Sequence, residues 1–247
     1  MNKLGMETRC IQAGYTPGNG EPRQIPIYQS TTFKYATSEE MGKLFDLEAS
    51  GYFYSRLQNP TCDMVAAKIC ALEGGSAAML TGSGQAATFM TIFNIAGVGD
   101  HVVASSAIYG GSFNLFNVTM RRMGIDFTFV DPDCSEEELR AAFKPNTKAL
   151  FGETIANPAL TVLDIEKFAK VAHENGVPLI VDNTFATPVN CRPFEWVRTS
   201  SPTPPPSTWT ATPVPWAASS WTPASSTGRS TPTSSPACVP PTRATTA

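Results

Sequence analysis

The sequence predicts an α/β fold in which a mostly parallel sheet is flanked by helices, followed by a tail of different character. Between residues 62 and 196, short apolar runs alternate with longer segments of helical periodicity, which is the pattern of strand–helix–strand units. The runs are apolar almost throughout, as expected for strands covered on both faces. After residue 196 the composition changes abruptly. We therefore predict an α/β domain and, separately, a disordered C-terminal tail.

The individual elements follow from this alternation. The predicted strands are Ala77–Leu80, His101–Ala104, Phe127–Val130, Ala149–Gly152 and Pro178–Val181. The predicted helices are Asp63–Leu72, Gln85–Ile95, Gly111–Met123, Glu136–Phe143 and Asp164–Glu174. Each helix is long enough for a crossover connection, and Asn175-Gly176 supplies a C-cap for the last one.

Residues 1–61 are irregular and rich in Gly, Pro, Gln and Tyr, with one amphipathic patch at Ser38–Leu47. We predict that they form an N-terminal arm, either wrapped over a partner surface or simply loop. The chain is thus divided into an arm (1–61), an α/β domain (62–196) and a tail (197–247).

Composition excludes several classes of protein. The 247 residues carry a net charge of -3, which argues against binding nucleic acid through its phosphates. The sequence has no run of 18 apolar residues, so a membrane span is not expected. The start of the chain lacks the apolar core of a secretory signal. Six cysteines without a CxxC pair and two distant histidines predict free thiols in a reducing cytoplasm and no metal site.

The tail differs from the rest in both charge and composition. Its 51 residues include 12 Thr, 11 Pro, 10 Ser and 7 Ala, with three arginines and no Asp, Glu or Lys. Because the tail carries +3, residues 1–196 carry -6. Three of the four Trp residues also lie in the tail. The fold and the chemistry are therefore expected in the first 196 residues.

Four segments stand where predicted strands end, which is where open α/β sheets bind ligands. Thr81–Ala87 is rich in small residues and opens a helix, Ser106–Gly111 contains Tyr109, Gly152–Pro158 contains Glu153 and Asn157, and Ile180–Thr184 contains Asp182. Each has a structural alternative: a helix-opening turn, a packed tyrosine, a polar strand end, or a helix-capping acid. Together they describe a phosphate cradle, a ring-stacking aromatic and a carboxylate for a protonated ring nitrogen, as in a pyridoxal-phosphate (PLP) pocket.

These segments resemble the cystathionine gamma-synthase-like family of PLP enzymes of cysteine and methionine metabolism. The resemblance covers about Thr8 to Trp196 and rests on motifs that are specific in combination. They are Tyr54-Ser55-Arg56, Asn59-Pro60-Thr61, Ser83-Gly84-Gln85-Ala86-Ala87, Tyr109-Gly110-Gly111, Glu153-Thr154, Asn157-Pro158 and Val181-Asp182-Asn183-Thr184-Phe185-Ala186-Thr187-Pro188. Within the family, residues 25–33 and 42–47 look most like O-acetylhomoserine sulfhydrylases.

The resemblance implies a fold type I PLP-dependent transferase whose PLP-binding α/β domain is incomplete in this chain, and it implies a role for each matching residue. Gly84 and Gln85, next to Ser83, would donate N–H groups to the cofactor phosphate. Tyr109 would stack on the ring, with a catalytic role also open to it, and Asp182, followed by Thr184, would pair with the ring nitrogen. Asn157 would lie near the ring hydroxyl, supported by Glu153. Tyr54 and Arg56 would reach the phosphate of a neighbouring subunit, so the site would exist only in a homo-oligomer, a tetramer in the family.

The lysine that the family joins to PLP is missing. It is expected roughly 25 residues after the Asp182 motif, but no lysine follows Lys170. Residues 197–212 can be encoded by a set of codons that, with one extra G placed before them, is read in a shifted frame. The shifted frame encodes Gly-Ala-Asp-Ile-Val-Thr-His-Ser-Thr-Thr-Lys-Tyr-Met-Asp-Gly-His, which resembles the family's lysine motif and has its lysine at the position of Ser207. We therefore hypothesise a frameshift after Trp196 that truncates the family sequence; the alternative is a genuine Pro/Ser/Thr-rich linker.

The function implied by the resemblance is gamma-replacement, in which O-acetylhomoserine and sulfide or a thiol give homocysteine or methionine. Alternatives on the same scaffold are cystathionine gamma-synthase, cystathionine gamma-lyase and methionine gamma-lyase activities. A different class is a non-catalytic fragment that binds PLP or a partner. As written, the chain is expected to be inactive, because the lysine is absent.

Overall fold

Seven strands form one sheet in the computed structural model, which describes residues 4–197, 209–213 and 217–221. The strands are β1 (Ala77–Thr81), β2 (His101–Ser105), β3 (Asp126–Val130), β4 (Thr147–Glu153), β5 (Leu179–Asp182), β6 (Trp209–Pro213) and β7 (Ala217–Trp221). Their order across the sheet is β1-β7-β6-β5-β4-β2-β3. Strands β2 to β6 run parallel to one another, whereas β7 runs antiparallel to both β1 and β6. The predicted mostly parallel sheet is confirmed.

Helices connect the strands. They are α1 (Met6–Gln12), α2 (Ser38–Phe45), α3 (Pro60–Glu73), α4 (Gly84–Ile95), α5 (Gly110–Asn114), α6 (Glu136–Ala141), α7 (Ile165–Glu174), α8 (Thr187–Asn190) and α9 (Pro193–Val197). Helix α5 continues into a π-helical segment, Leu115–Met120, so the helix predicted at 111–123 is divided between two hydrogen-bonding patterns. None of the helices in the described ranges is long and apolar enough to cross a membrane.

Both faces of the sheet are covered by apolar side chains. On one face, Val103 of β2 and Leu150 of β4 pack in a cluster with Phe168 of α7. On the other face, Phe151 of β4 packs in a cluster with Phe116 of the π-helical segment. All five of these side chains are buried. Successive residues of a strand point to opposite faces, which explains why the central strands are apolar throughout rather than alternating.

The arm contains one more helix than the sequence indicates. Helix α2 lies within the amphipathic patch predicted at Ser38–Leu47, but α1 was not expected, because its N-cap, Gly5, offers no capping side chain. Met6 and Cys10 of α1 pack on a small cluster around Ile69 of α3. Tertiary packing of one apolar face therefore stabilises a helix whose local signals are weak.

Two short parts of the tail differ from the expected disorder. Strand β6 pairs with β5, and β7 closes the gap between β6 and β1. An open strand edge presents unpaired N–H and C=O groups, and an extended segment of almost any sequence satisfies them through its main chain. Apart from Val197, the other tail residues, with Ser207 among them, lie outside the part of the chain that the structure describes.

Candidate functional site

A cleft of about 290 Å³ lies at the carboxyl ends of the central strands. It contains every residue predicted from the strand ends, namely Ser83, Gly84, Gln85, Tyr109, Glu153, Asn157, Asp182 and Thr184, together with Thr88, Ser112, Ile155 and Phe185. A larger cleft of about 420 Å³ borders residues 188–196 and contains none of the predicted residues. The chemistry that the sequence predicts is therefore concentrated in the smaller cleft.

The start of helix α4 forms one wall of this cleft. Ser83 is the N-cap, and its side chain accepts a hydrogen bond from the N–H of Ala86 at 3.1 Å. The N–H groups of the first helical residues, Gly84 and Gln85, have no acceptor within the helix. With the positive end of the helix dipole, they favour an anion at this wall.

Tyr109 stands at the N-terminus of α5 with 48% of its surface exposed. Its backbone N–H donates to Glu153 Oε1 at 2.7 Å, which ties the loop after β2 to the end of β4. A methyl group added to Gly111 would lie 2.5 Å from Cε1 of the tyrosine ring. The ring can therefore take its position beside the cleft only because residue 111 is glycine.

Glu153 is the last residue of β4 and is only 5% exposed. Its two carboxyl oxygens accept backbone hydrogen bonds, from Tyr109 to Oε1 and from Asn157 to Oε2 at 3.3 Å. Burial raises the pKa of the Glu153 carboxyl to about 7, and the nearby Asp182 adds to this rise. Near neutral pH this group therefore exchanges between its charged and neutral forms.

Asp182 lies beside Glu153 in the register of β4 and β5. Its Oδ1 accepts hydrogen bonds from the N–H of Thr184 at 3.0 Å and from the Thr184 hydroxyl. Burial raises the pKa of the Asp182 carboxyl, while the bonds from Thr184 oppose the rise. A cation placed against this carboxyl would offset the cost of its burial.

These residues fit four features of PLP: its phosphate, its ring face, its ring nitrogen and its ring hydroxyl. The start of α4 offers N–H donors to a phosphate, and the exposed face of Tyr109 offers a surface to an aromatic ring. The buried Asp182 carboxyl suits the cationic nitrogen of a protonated pyridine. Asn157 lines the same cleft and has an amide that can bond a ring hydroxyl. The lining residues therefore match the cofactor in charge and in hydrogen-bonding groups.

The two predicted residues of the arm are not among those that line the cleft. Tyr54 forms an isolated antiparallel bridge with Thr32, and the Arg56 guanidinium lies 5.0 Å from the centre of the Tyr54 ring. Arg56 is exposed. Their predicted role at a neighbouring subunit stays a prediction.

The sequence reasoning missed four lining residues, Thr88, Ser112, Ile155 and Phe185. Thr88 follows Gly84 by one helical turn, and helical spacing could have indicated it. The amide nitrogen of Gln85 lies 3.4 Å from the hydroxyl of Ser112, a contact between two separate helices that no local pattern reveals.

Comparison with known proteins agrees with this geometry. Residues 7–197 match the family described as Cys/Met metabolism PLP-dependent enzyme. The chain is 50% identical over 195 residues to an O-acetyl-L-homoserine sulfhydrylase of Corynebacterium glutamicum. The matched residues make up 78% of this chain and 45% of the relative.

Solved structures give the same result. A Campylobacter jejuni protein, provisionally assigned as an O-acetylhomoserine (thiol)-lyase and solved with N'-pyridoxyl-lysine-5'-monophosphate, has a TM-score of 0.79 at 29% identity, covering 89% of this chain and 54% of that one. For cystathionine gamma-lyase from Lactobacillus plantarum, solved with L-serine, the TM-score is 0.73 at 30% identity, with 89% and 55% covered. The chain spans about half the length of these relatives. Because the family match spans residues 7–197, most of the chain and every residue of the cleft, the chain belongs to the Cys/Met metabolism family of PLP-dependent enzymes.

Proposed function

We propose that the site is built for gamma-replacement on O-acetylhomoserine, giving homocysteine with sulfide or methionine with methanethiol. The observation that carries the proposal is the cleft itself. It joins an anion-binding helix start, an exposed tyrosine face and a buried carboxyl in a chain whose relatives include several proteins named O-acetyl-L-homoserine sulfhydrylase.

PLP, when bound, supplies an electron sink for the carbon atoms next to the substrate amine. The protein's part is to hold the ring and control its protons. Gly84 and Gln85 would bind the phosphate through their N–H groups, and Tyr109 would cover one face of the ring. In the overall reaction, acetate leaves the gamma carbon of the amino acid, sulfur bonds to that carbon, and the thiol proton passes to a base.

Asp182 would keep a proton on the ring nitrogen. Its Oδ1 is held by Thr184, which leaves Oδ2 to face the ligand. Glu153 also lines the cleft, but its two carboxyl oxygens accept hydrogen bonds from the backbone N–H groups of Tyr109 and Asn157, so its role would be to fix these two residues. The phenol of Tyr109 is the candidate for holding a proton near the substrate.

We further propose that the present sequence does not turn over substrate, since no lysine follows Lys170. To test this, one guanine is inserted before the Val197 codon, which restores lysine at position 207 under the frameshift hypothesis. After PLP loading and borohydride reduction, the repaired protein should retain cofactor covalently, with the present chain as the matched control. Equal retention by the present chain would contradict the proposal, and resequencing the gene around the Trp196 codon tests the frameshift directly.

The reaction is tested by assaying repaired protein with O-acetylhomoserine and sulfide, and separately with cystathionine and with methionine. Homocysteine formed only from the first mixture supports gamma-replacement. Release of ammonia and an oxoacid from cystathionine or methionine instead would favour the elimination reactions that the same scaffold carries out, and would overturn our choice of reaction.

We also propose that the protein is cytoplasmic and forms a homo-oligomer, and the arm supports the oligomer. Tyr54 and Arg56 lie outside the cleft of their own chain, and Arg56 is exposed. Arginine pairs well with phosphate, so a neighbouring cleft is the proposed target. If Arg56→Ala leaves PLP affinity unchanged in an oligomer verified by light scattering, the intersubunit role is wrong.

A further inference from the structure

A chain of buried polar side chains lies directly behind the two carboxyls of the cleft. It consists of Glu73 at the end of α3, Asn183 after β5 and Thr154 after β4. Glu73 is 1% exposed, Asn183 is fully buried, and Thr154 is 4% exposed. None of the three lines the cleft, so their polar groups serve the protein rather than a ligand.

Asn183 is the centre of this chain, and its amide is fully used. Its Oδ1 accepts a hydrogen bond from the Thr154 hydroxyl at 2.7 Å. Its Nδ2 donates to Glu73 Oε1 at 3.3 Å and to the carbonyl of Cys191 at 2.8 Å. Because a buried amide is costly unless its donors and acceptor are paired, these contacts fix the side chain in one orientation.

The contacts continue into the carboxyl-bearing residues through the main chain. Thr154 follows Glu153, and Asn183 follows Asp182. The N–H of Thr154 also donates to the carbonyl of Asp182 at 3.0 Å. The bridge between Thr154 and Asn183 therefore locks β4 to β5 one residue beyond the two carboxyls.

The position of Glu73 points to the same role. It is the last residue of α3, where the negative end of the helix dipole makes a carboxylate unfavourable. It is also buried, which adds a cost. A glutamate at such a position is explained by the partner that it holds, Asn183, rather than by the helix.

We propose that Glu73, Asn183 and Thr154 are positioning residues that set the separation and direction of the Glu153 and Asp182 carboxyls for PLP. This inference rests on the proposed PLP site. The network acts through the strand ends and touches neither cofactor nor substrate.

Thr154→Val tests the proposal in the full chain, because it keeps the shape of the side chain and removes the hydroxyl donor. Thr147→Val is the matched control. Thr147 lies at the opposite end of β4 and is 8% exposed, and its hydroxyl is hydrogen-bonded to the ring of His101. Thr154→Ser restores the hydroxyl. The measurements are the affinity for PLP by equilibrium dialysis and the thermal midpoint of each protein.

We expect Thr154→Val to weaken PLP binding about ten-fold, as for a lost buried hydrogen bond. Thr147→Val should lower the thermal midpoint while leaving PLP affinity unchanged, and Thr154→Ser should recover affinity. Unchanged PLP affinity in Thr154→Val, or equal losses of PLP affinity in both valine variants, would overturn the role of the network but not the proposed PLP site.

If Thr154→Val does not fold, Glu73→Gln replaces it. We expect a smaller loss of PLP affinity in Glu73→Gln, and an unchanged affinity would contradict the proposal. If the wild-type protein does not bind PLP, the proposed PLP site is wrong, and the inference that rests on it is wrong as well.

Discussion

Gly111 and Tyr109 illustrate how a single residue shapes the cleft. A Cβ at position 111 would lie 2.5 Å from the Tyr109 ring and 3.0 Å from Gln85 Nε2, whereas a Cβ at Gly110 meets no atom within 4 Å. Gly111→Ala should therefore displace the ring and weaken PLP binding about 3- to 10-fold, the range of one aromatic contact. Gly110→Ala, the control, should keep the affinity. Equal affinities in both variants would show that the ring position does not matter.

Glu153 has a consequence for stability that depends on pH. Its pKa in the folded protein is about 7, above the usual 4.5, because the carboxyl is buried. A carboxyl with a raised pKa favours the folded state at low pH, and this contribution is lost as the pH rises through about 7. Glu153→Gln, which carries no charge, lacks this loss.

We therefore expect the stability of Glu153→Gln relative to wild type to increase by about 1 to 3 kcal/mol between about pH 5 and about pH 8. The measurement is urea unfolding of both proteins at the two pH values. A difference that does not change with pH would mean that Glu153 is not held in an environment that favours its neutral form.

At the scale of secondary-structure elements, His101 joins three strands. It is fully buried in β2, with Nδ1 2.8 Å from the hydroxyl of Thr147 in β4 and Nε2 2.8 Å from the hydroxyl of Thr128 in β3. Burial lowers the pKa of His101, and Lys144 lowers it further. The ring therefore stays neutral in the folded protein, and stability is lost as the pH falls below the usual value of 6.5.

Replacing His101 with leucine should cost about 1 to 3 kcal/mol at neutral pH, because two hydroxyls lose a partner. The cost should be smaller near about pH 5, where the wild type is itself weakened by protonation of the unfolded histidine. Urea unfolding of both proteins at the two pH values checks this. The same cost at both would contradict the neutral buried histidine.

Local sequence patterns predicted the elements well where one signal dominated. All five predicted strands occur as β1–β5, and the capping box of Ser135 and Glu138 opens the predicted helix α6. Helix α1, the short helices α8 and α9, and the π-helical segment were missed. Helix α1 and the π-helical segment make contacts with distant parts of the chain, Met6 on the Ile69 cluster and Phe116 against Phe151.

On the scale of the whole molecule, the sheet is completed by the tail. Strand β1 pairs with β7 and β5 pairs with β6, so a chain ending at Val197 would leave open edges on both β1 and β5. Open edges of this kind pair with other chains. We expect a 1–197 chain to aggregate.

A chain ending at Trp221 is the matched control, because it keeps every element that the structure describes. It should elute like the full-length protein in size-exclusion chromatography with light scattering. A 1–197 chain with the same soluble yield and mass as the 1–221 chain would show that β6 and β7 are not needed to protect the sheet.

The sequence by itself determined the fold class and most of the site, since buried strands are continuous apolar runs and the ligand-facing residues stand at their ends. Ser83, Tyr109, Glu153 and Asp182 could be named for this reason, and the structure brings them to one cleft. Only the tertiary structure decided what lies behind them. Glu73 is 110 residues from its partner Asn183, and the tail strands pair through main-chain groups. Such contacts leave no periodic trace in a sequence, because they depend on which distant segments the folded sheet brings together.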